Sequence, residues 1–211
     1  MEPVDLALCL AVDVSASVDY DEYALMLGGY AAAFRDPGVV ALCVAGPRRA
    51  VAVGAVFWSG VSPGPEVAVP WRRVDGGAAA EAVAAALDAA PRSPRAGATA
   101  LGEGMAAGLA LLALLARCPA DAARLVLDVS GDGRHNQGRP PGPVRDLGVL
   151  AGVTVNALAV LNEEPDLLDH YREEVIGGAG SFALACADYH AFAEAVRAKL
   201  LREVNAVSFA V

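Results

Sequence analysis

Four apolar runs constrain this chain more than any other feature. "VDLALCLAV" (4–12), "RLVLDVS" (124–130), "VTVNALAV" (153–160) and "SFALAC" (181–186) are nearly continuous in hydrophobic residues. A half-exposed strand alternates apolar and polar residues, so runs without that alternation predict strands covered on both faces. Longer segments with helical periodicity lie between them, at about 19–34, 77–90, 100–117, 143–151, 164–176 and 189–203. Strand–helix alternation of this kind predicts a mostly parallel sheet with right-handed crossovers and helices on both faces. The fold class is therefore α/β, doubly wound and Rossmann-like.

One joint breaks the alternation. The runs at 50–58 and 66–71 are separated by a short linker containing "VSPGP", which cannot hold a crossover helix. They predict a hairpin, which makes the third of six strands antiparallel. Pro70 lacks an N–H to give a central ladder, so that strand belongs at the sheet edge. With 211 residues and no long linker, the chain reads as one domain over 1–204 with a tail at 205–211. That end, "NAVSFAV", is apolar enough to dock.

In open α/β sheets, ligands sit beyond the carboxyl ends of strands, where strand order reverses. Asp13 ends the first strand and is followed by Ser15 and Ser17 at alternate positions; Asp132 follows the fourth. These ends are neighbours if strands one and four pair. Thr99, after the "RSPRAGA" loop, stands at the start of a helix. Hydroxyls and carboxylates without thiol or imidazole suit a hard cation, magnesium or a relative such as manganese or calcium, rather than zinc.

Net charge is −9, which argues against sequence-independent binding to nucleic acid or anionic lipid. The longest apolar stretch, 104–116, falls short of the ~20 residues of a membrane span and predicts a buried helix instead of membrane insertion. The N-terminus carries no signal-peptide pattern, which implies a cytoplasmic protein, or a periplasmic or secreted one from which a leader has been trimmed. Cys9, Cys43, Cys118 and Cys186 have no metal-binding spacing and read as small buried hydrophobes.

"DVSASVDYDEYAL", "FWSG", "TALGEGM" and "LVLDVSGDGRHNQG" together resemble the von Willebrand factor type A (VWA) superfamily, in a bacterial branch, over roughly residues 4–204. The D-x-S-x-S run at 13–17, Thr99 and Asp132 match its metal-ion-dependent adhesion site (MIDAS). The resemblance implies that Ser15, Ser17 and Thr99 lie near an ion, and that Asp13 and Asp132 supply negative charge partly from behind them. It further implies a non-enzymatic domain that captures a protein or peptide presenting Asp or Glu at an open coordination position.

Each residue also has a plainer reading. Ser15 or Ser17 can cap the first helix, Asp132 can serve a turn in "SGDG", and Thr99 can be only a cap. Asp19, Asp21 and Glu22 fit the first turn of a helix, where carboxylates meet the positive dipole end. Arg134, His135 and Arg139 put local positive charge beside Asp132 and are candidates for guiding an acidic partner; Trp58, at a strand end, is a candidate contact. Two rival functions remain. The first is a magnesium-dependent hydrolase, because Asp13 and "GDG" resemble the haloacid dehalogenase-type phosphatases. Ser15 stands where their second aspartate belongs, and the only lysine, Lys199, lies beyond Asp132. The second is a structural module whose metal site is vestigial.

Overall fold

A computed structural model describes residues 2–94, 97–115 and 122–205. Its elements are β1 (Val4–Asp13), α1 (Tyr20–Arg35), α2 (Pro37–Cys43), β2 (Val51–Trp58), β3 (Glu66–Val74), α3 (Gly77–Asp88), α4 (Leu101–Leu115), β4 (Ala122–Gly131), α5 (Pro141–Leu150), β5 (Val153–Val160), α6 (Leu167–His170), a π-helical turn (Tyr171–Val175), β6 (Ala183–Cys186) and α7 (Phe192–Asn205). The strands form one sheet in the order β3-β2-β1-β4-β5-β6. All neighbours are parallel except β2 and β3. The antiparallel strand carrying Pro70 is at the edge, as the short linker requires.

β1 shows why the layers pack as they do. Every one of its residues is buried. Leu6, Leu8, Leu10 and Val12 point into the core beneath α1, α2, α3 and α7. The alternate residues Ala7, Cys9 and Ala11 face the other core, beneath α4, α5 and the π-helical turn. The small side admits a close helix, and α4 answers with glycines. A Cβ on Gly104 would sit 2.3 Å from Trp58 Cγ, and one on Gly108 would sit 2.4 Å from Leu127 Cδ1. α4 is thus seated directly on the sheet, which fixes the segment carrying Thr99.

Several elements differ from the sequence reading. β6 was expected to be covered on both faces; it is a four-residue edge strand whose residues are mostly half-buried. α4 is not buried all round, because Ala110, Ala113 and Leu114 face outward. α2 lies where no element was expected: Asp36 caps it, accepting from Gly38 N at 2.9 Å and Val39 N at 3.1 Å, and Pro37 fills its first position. The helix expected at 164–176 is one short α-turn running into the π-turn, where Ile176 N donates to the Tyr171 carbonyl. Cys9, Cys43 and Cys186 are free and buried; Cys118 and the segment 206–211 lie outside the described residues. No helix among the described residues is long and apolar enough to cross a membrane.

A second buried feature joins α7 to the sheet. Lys199 forms ion pairs with Asp128 on β4 and, at 2.8 Å, with Glu203. Asn156 Nδ2 donates to the same Glu203 oxygen at 2.8 Å, and Asn156 Oδ1 accepts from Phe182 N. All four polar side chains are buried.

Candidate functional site

The parallel order places β1 between β2 and β4, and the chain runs outward from it in both directions. That reversal leaves a crevice above the carboxyl ends of β1 and β4. Asp13 and Asp132 meet there.

The loop after β1 turns back on itself: Ser15 N donates to Asp13 Oδ1 at 2.8 Å. The hydroxyls of Ser15 and Ser17 are 3.1 Å apart, and Ser17 Oγ donates to Asp132 Oδ1 at 2.6 Å. Asp13, Ser15, Ser17 and Asp132 are therefore joined in one hydrogen-bonded chain, although 119 residues separate its ends. Neither serine caps α1. That role falls to Asp19, which forms a reciprocal capping box with Glu22, both bonds being 2.8 Å.

Thr99 belongs to the same corner. Its N–H donates to Asn136 Oδ1 at 2.9 Å and its carbonyl accepts from Asn136 N at 3.1 Å. Ala16 N donates to the Gly97 carbonyl at 2.9 Å, so the segment is tied to both aspartate-bearing loops. Thr99 Oγ1 lies 3.4 Å from where a Cβ on Gly133 would stand.

Asp13, Ser15 and Asp132 are all 0% exposed, and Thr99 is 6% exposed. Oδ2 of each aspartate is buried without a hydrogen-bond partner. Burial, then the neighbouring Asp132 charge, push the Asp13 carboxyl up to about 8, against the Ser15 hydrogen bonds and Arg92. Burial also raises Asp132, with Ser17 opposing it and Glu22 adding to it. Two carboxylates sharing a dry corner call for a compensating positive charge. No group of three or more His, Cys, Asp or Glu side chains among the described residues is placed to hold a metal, so any ion here must draw on the hydroxyls.

The partner-facing residues come out differently. Trp58 is 0% exposed and packs against α4 at Gly104, so it is core and cannot be a contact. Arg134 is engaged by Glu164 at 2.8 Å and Asp166 at 2.6 Å, and Arg139 by Glu103 at 3.0 Å. These acids come from the first turn of α4 and from the loop after β5, and neutralise the positive charge that the sequence placed beside Asp132, so the loop offers no free cationic guide. His135 is half-buried, with Nδ1 enclosed and unpartnered.

Three residues escaped the sequence reading. Arg92 reaches under the site loop and donates from Nη2 to the carbonyls of Ser15, at 2.9 Å, and Val18. Its guanidinium also lies 5.1 Å from the Tyr20 ring centre. The Tyr171 hydroxyl and Asp13 Oδ2 both lie within 2.8 Å of where a Cβ on Gly131 would stand, and the Tyr189 hydroxyl acts as a donor on the Asp132 carboxyl. The proline-flanked "PRSPR" is the only sequence signal beside Arg92, and neither tyrosine stands in a motif.

A family model described as "Protein of unknown function (DUF1194)" matches residues 3–208. No curated protein matches the sequence. Among solved structures the chain is similar to proximal thread matrix protein 1 (PTMP1) from the mussel byssus, at 17% identity and a TM-score of 0.58, over 98% of this chain and 48% of that one. Another structure of that protein, with a TM-score of 0.59, has a zinc-occupied MIDAS motif. The pilus adhesin SpaC from Lactobacillus rhamnosus GG matches at 15% identity and a TM-score of 0.65, over 98% of this chain and 31% of its own. A mutant of the PilB minor pilin from Streptococcus sanguinis matches at 11% and 0.64, over 97% and 62%. The chain thus spans less than two thirds of each neighbour's length. The likeness establishes the fold, and the Rossmann-like architecture agrees with the VWA resemblance.

Proposed function

The chain belongs to the DUF1194 family, and from that premise we propose that it is a non-catalytic, VWA-type binding domain whose divalent cation site captures an acidic side chain of a protein partner. The observation that carries this reading is the hydrogen-bonded chain from Asp13 through Ser15 and Ser17 to Asp132, which ends in two buried carboxylate oxygens with no partner. Ser15, Ser17 and Thr99 would hold the ion and the two aspartates would neutralise it. A bound divalent cation supplies a positive, exchangeable position to an incoming carboxylate. Hydroxyl donors leave that positive charge less quenched than a carboxylate cage would. The adhesin and pilin neighbours, and the zinc-occupied MIDAS of PTMP1, support the same assignment.

The surrounding charges give the binding an order. Glu22, Glu103, Glu164 and Asp166 flank the site, and the arginines among them are already paired. An acidic mouth attracts cations and repels acidic partners. Partner capture should therefore require metal, most stringently at low ionic strength.

Thermal unfolding with magnesium, manganese, calcium or zinc against chelator tests the metal. Binding raises stability by RT ln(1 + [L]/Kd), about 2.7 kcal/mol at a hundredfold excess over Kd. No shift at millimolar concentrations of any of the four ions would refute the reading and favour the vestigial module. A metal-dependent pull-down comparing wild type with Asp13→Ala/Ser15→Ala tests capture: a partner retained equally by both, or retained in chelator, refutes that half.

A further inference from the structure

Two tyrosines belong to this site as well as to the core. Tyr171 is 0% exposed and Tyr189 3% exposed; neither hydroxyl is in close hydrogen-bond contact, but that of Tyr189 lies near enough to Asp132 to act on its carboxyl as a donor, opposing the rise that burial causes. Buried hydroxyls are normally paired. Beside them lie two buried acceptors in the same condition, Asp13 Oδ2 and Asp132 Oδ2. Gly131 marks how close they come: a Cβ there would lie 2.7 Å from Asp13 Oδ2 and 2.8 Å from the Tyr171 hydroxyl. The Asp13 and Asp132 charges both act on Tyr171, and on Tyr189 in the reverse order of strength. The other polar neighbours are already committed. Glu22 accepts from Asp19 N and Asn162 Nδ2, Glu164 accepts from Arg134, and Arg92 donates to backbone carbonyls.

We propose that Tyr171 and Tyr189 are positioning residues for the metal site, whose hydroxyls donate to the Asp13 and Asp132 carboxylates and hold them oriented for the cation. A phenol suits this task. It donates one hydrogen bond without bringing a positive charge, so it steadies the anion without competing with the ion for it. Arginine or lysine in the same place would stand in for the cation. The π-turn fits this role, since the wide turn at Tyr171–Val175 sets the ring that lies beside Asp13. Tyr189 is held from the other side, with its ring centre 6.1 Å from that of Phe192.

The inference rests on the metal-binding reading above, and the experiment separates the two. Manganese binding is measured by calorimetry on wild type, Tyr171→Phe, Tyr189→Phe and Tyr30→Phe, with urea unfolding of each metal-free protein alongside. Tyr30 is a buried tyrosine that bonds Ser130 at 3.0 Å, and its variant serves as the control. The expected result is a Kd at least about tenfold weaker in the Tyr171 and Tyr189 variants, the worth of a hydrogen bond to a charged group, with Tyr30→Phe unchanged. Metal-free stability should fall by less than the metal affinity does, because the hydrogen bonds to the carboxylates count for most when the ion is bound. The manganese-induced change in the near-ultraviolet tyrosine spectrum should shrink in the same two variants. Wild-type binding with an unaltered Kd in both overturns the inference and leaves the metal reading standing. Affinity that falls only in step with metal-free stability makes the tyrosines ordinary packing, and also overturns it. If wild type itself binds no manganese, the metal reading falls and takes the inference with it.

Discussion

Replacing Lys199 with methionine should destabilise the protein strongly, and more so in alkali than in acid. Lys199 is 0% exposed and lies between Asp128 and Glu203, themselves 0% and 1% exposed. Methionine matches the length of the side chain but leaves two carboxylates buried without a counter-ion. Removing one partner of a buried ion pair costs about 3–5 kcal/mol. The pH dependence follows from Asp128. Burial first, then Glu203, raise its carboxyl from 3.8 to about 7, with Lys199 opposing them. A carboxyl raised in this way contributes stability that is complete below 3.8 and lost as pH climbs through about 7. At about 1.36 kcal/mol per pH unit, Asp128 alone gives up roughly 4 kcal/mol over that range in the wild type. Without the ammonium its folded-state pKa rises further, so the variant keeps losing stability where the wild type has levelled off. Urea unfolding of both proteins at about pH 5 and about pH 8.5 should show a full deficit at the higher pH and less than half of it at the lower. Adding Asp128→Asn should recover part of the loss. Equal deficits at the two pH values, or one below about 1 kcal/mol in alkali, would refute the account of a buried, charge-balanced triad.

Gly104→Ala should cost about 1–3 kcal/mol in urea unfolding, because its Cβ would stand 2.3 Å from the enclosed Trp58 ring; unchanged stability would show that α4 can retreat from the sheet. Asp36→Ala removes the cap of α2 and should cost about 1 kcal/mol in the same assay, while an Asp36→Ser variant loses less. Arg92→Met strips the donor from the Ser15 and Val18 carbonyls and should destabilise by about 1–3 kcal/mol. It should also shrink the metal-dependent thermal shift, and an intact shift would mean the Ser15 loop holds its shape alone.

The sheet was legible because burial on both faces leaves its mark on composition. β1 and β5 each read as a nearly continuous apolar run and end within a residue or so of the expected positions. The hairpin was legible from linker length and Pro70, both local features. The meeting of Asp13 with Asp132 followed from topology alone. What the sequence hid depends on partners far along the chain. Arg134 and Arg139 look like free charge until Glu164, Asp166 and Glu103 fold against them. Trp58 stands at a strand end, where exposure is the usual expectation, and only the glycines of α4 permit it to be covered. The half-buried β6 carries the same composition as a central strand, because its one covered side is apolar and short. Tyr171 takes its place from a π-turn, a local widening of the helix that apolar periodicity does not encode.

The chain has a single lysine, and it lies in the interior. Amine-directed cross-linkers, fluorophores and acylating agents therefore find no lysine on the native surface. Modification of that side chain becomes a signal that the molecule has opened. A time course of Lys199 acylation, read by mass spectrometry, would report the rate at which α7 parts from the sheet, with no probe engineered into the protein.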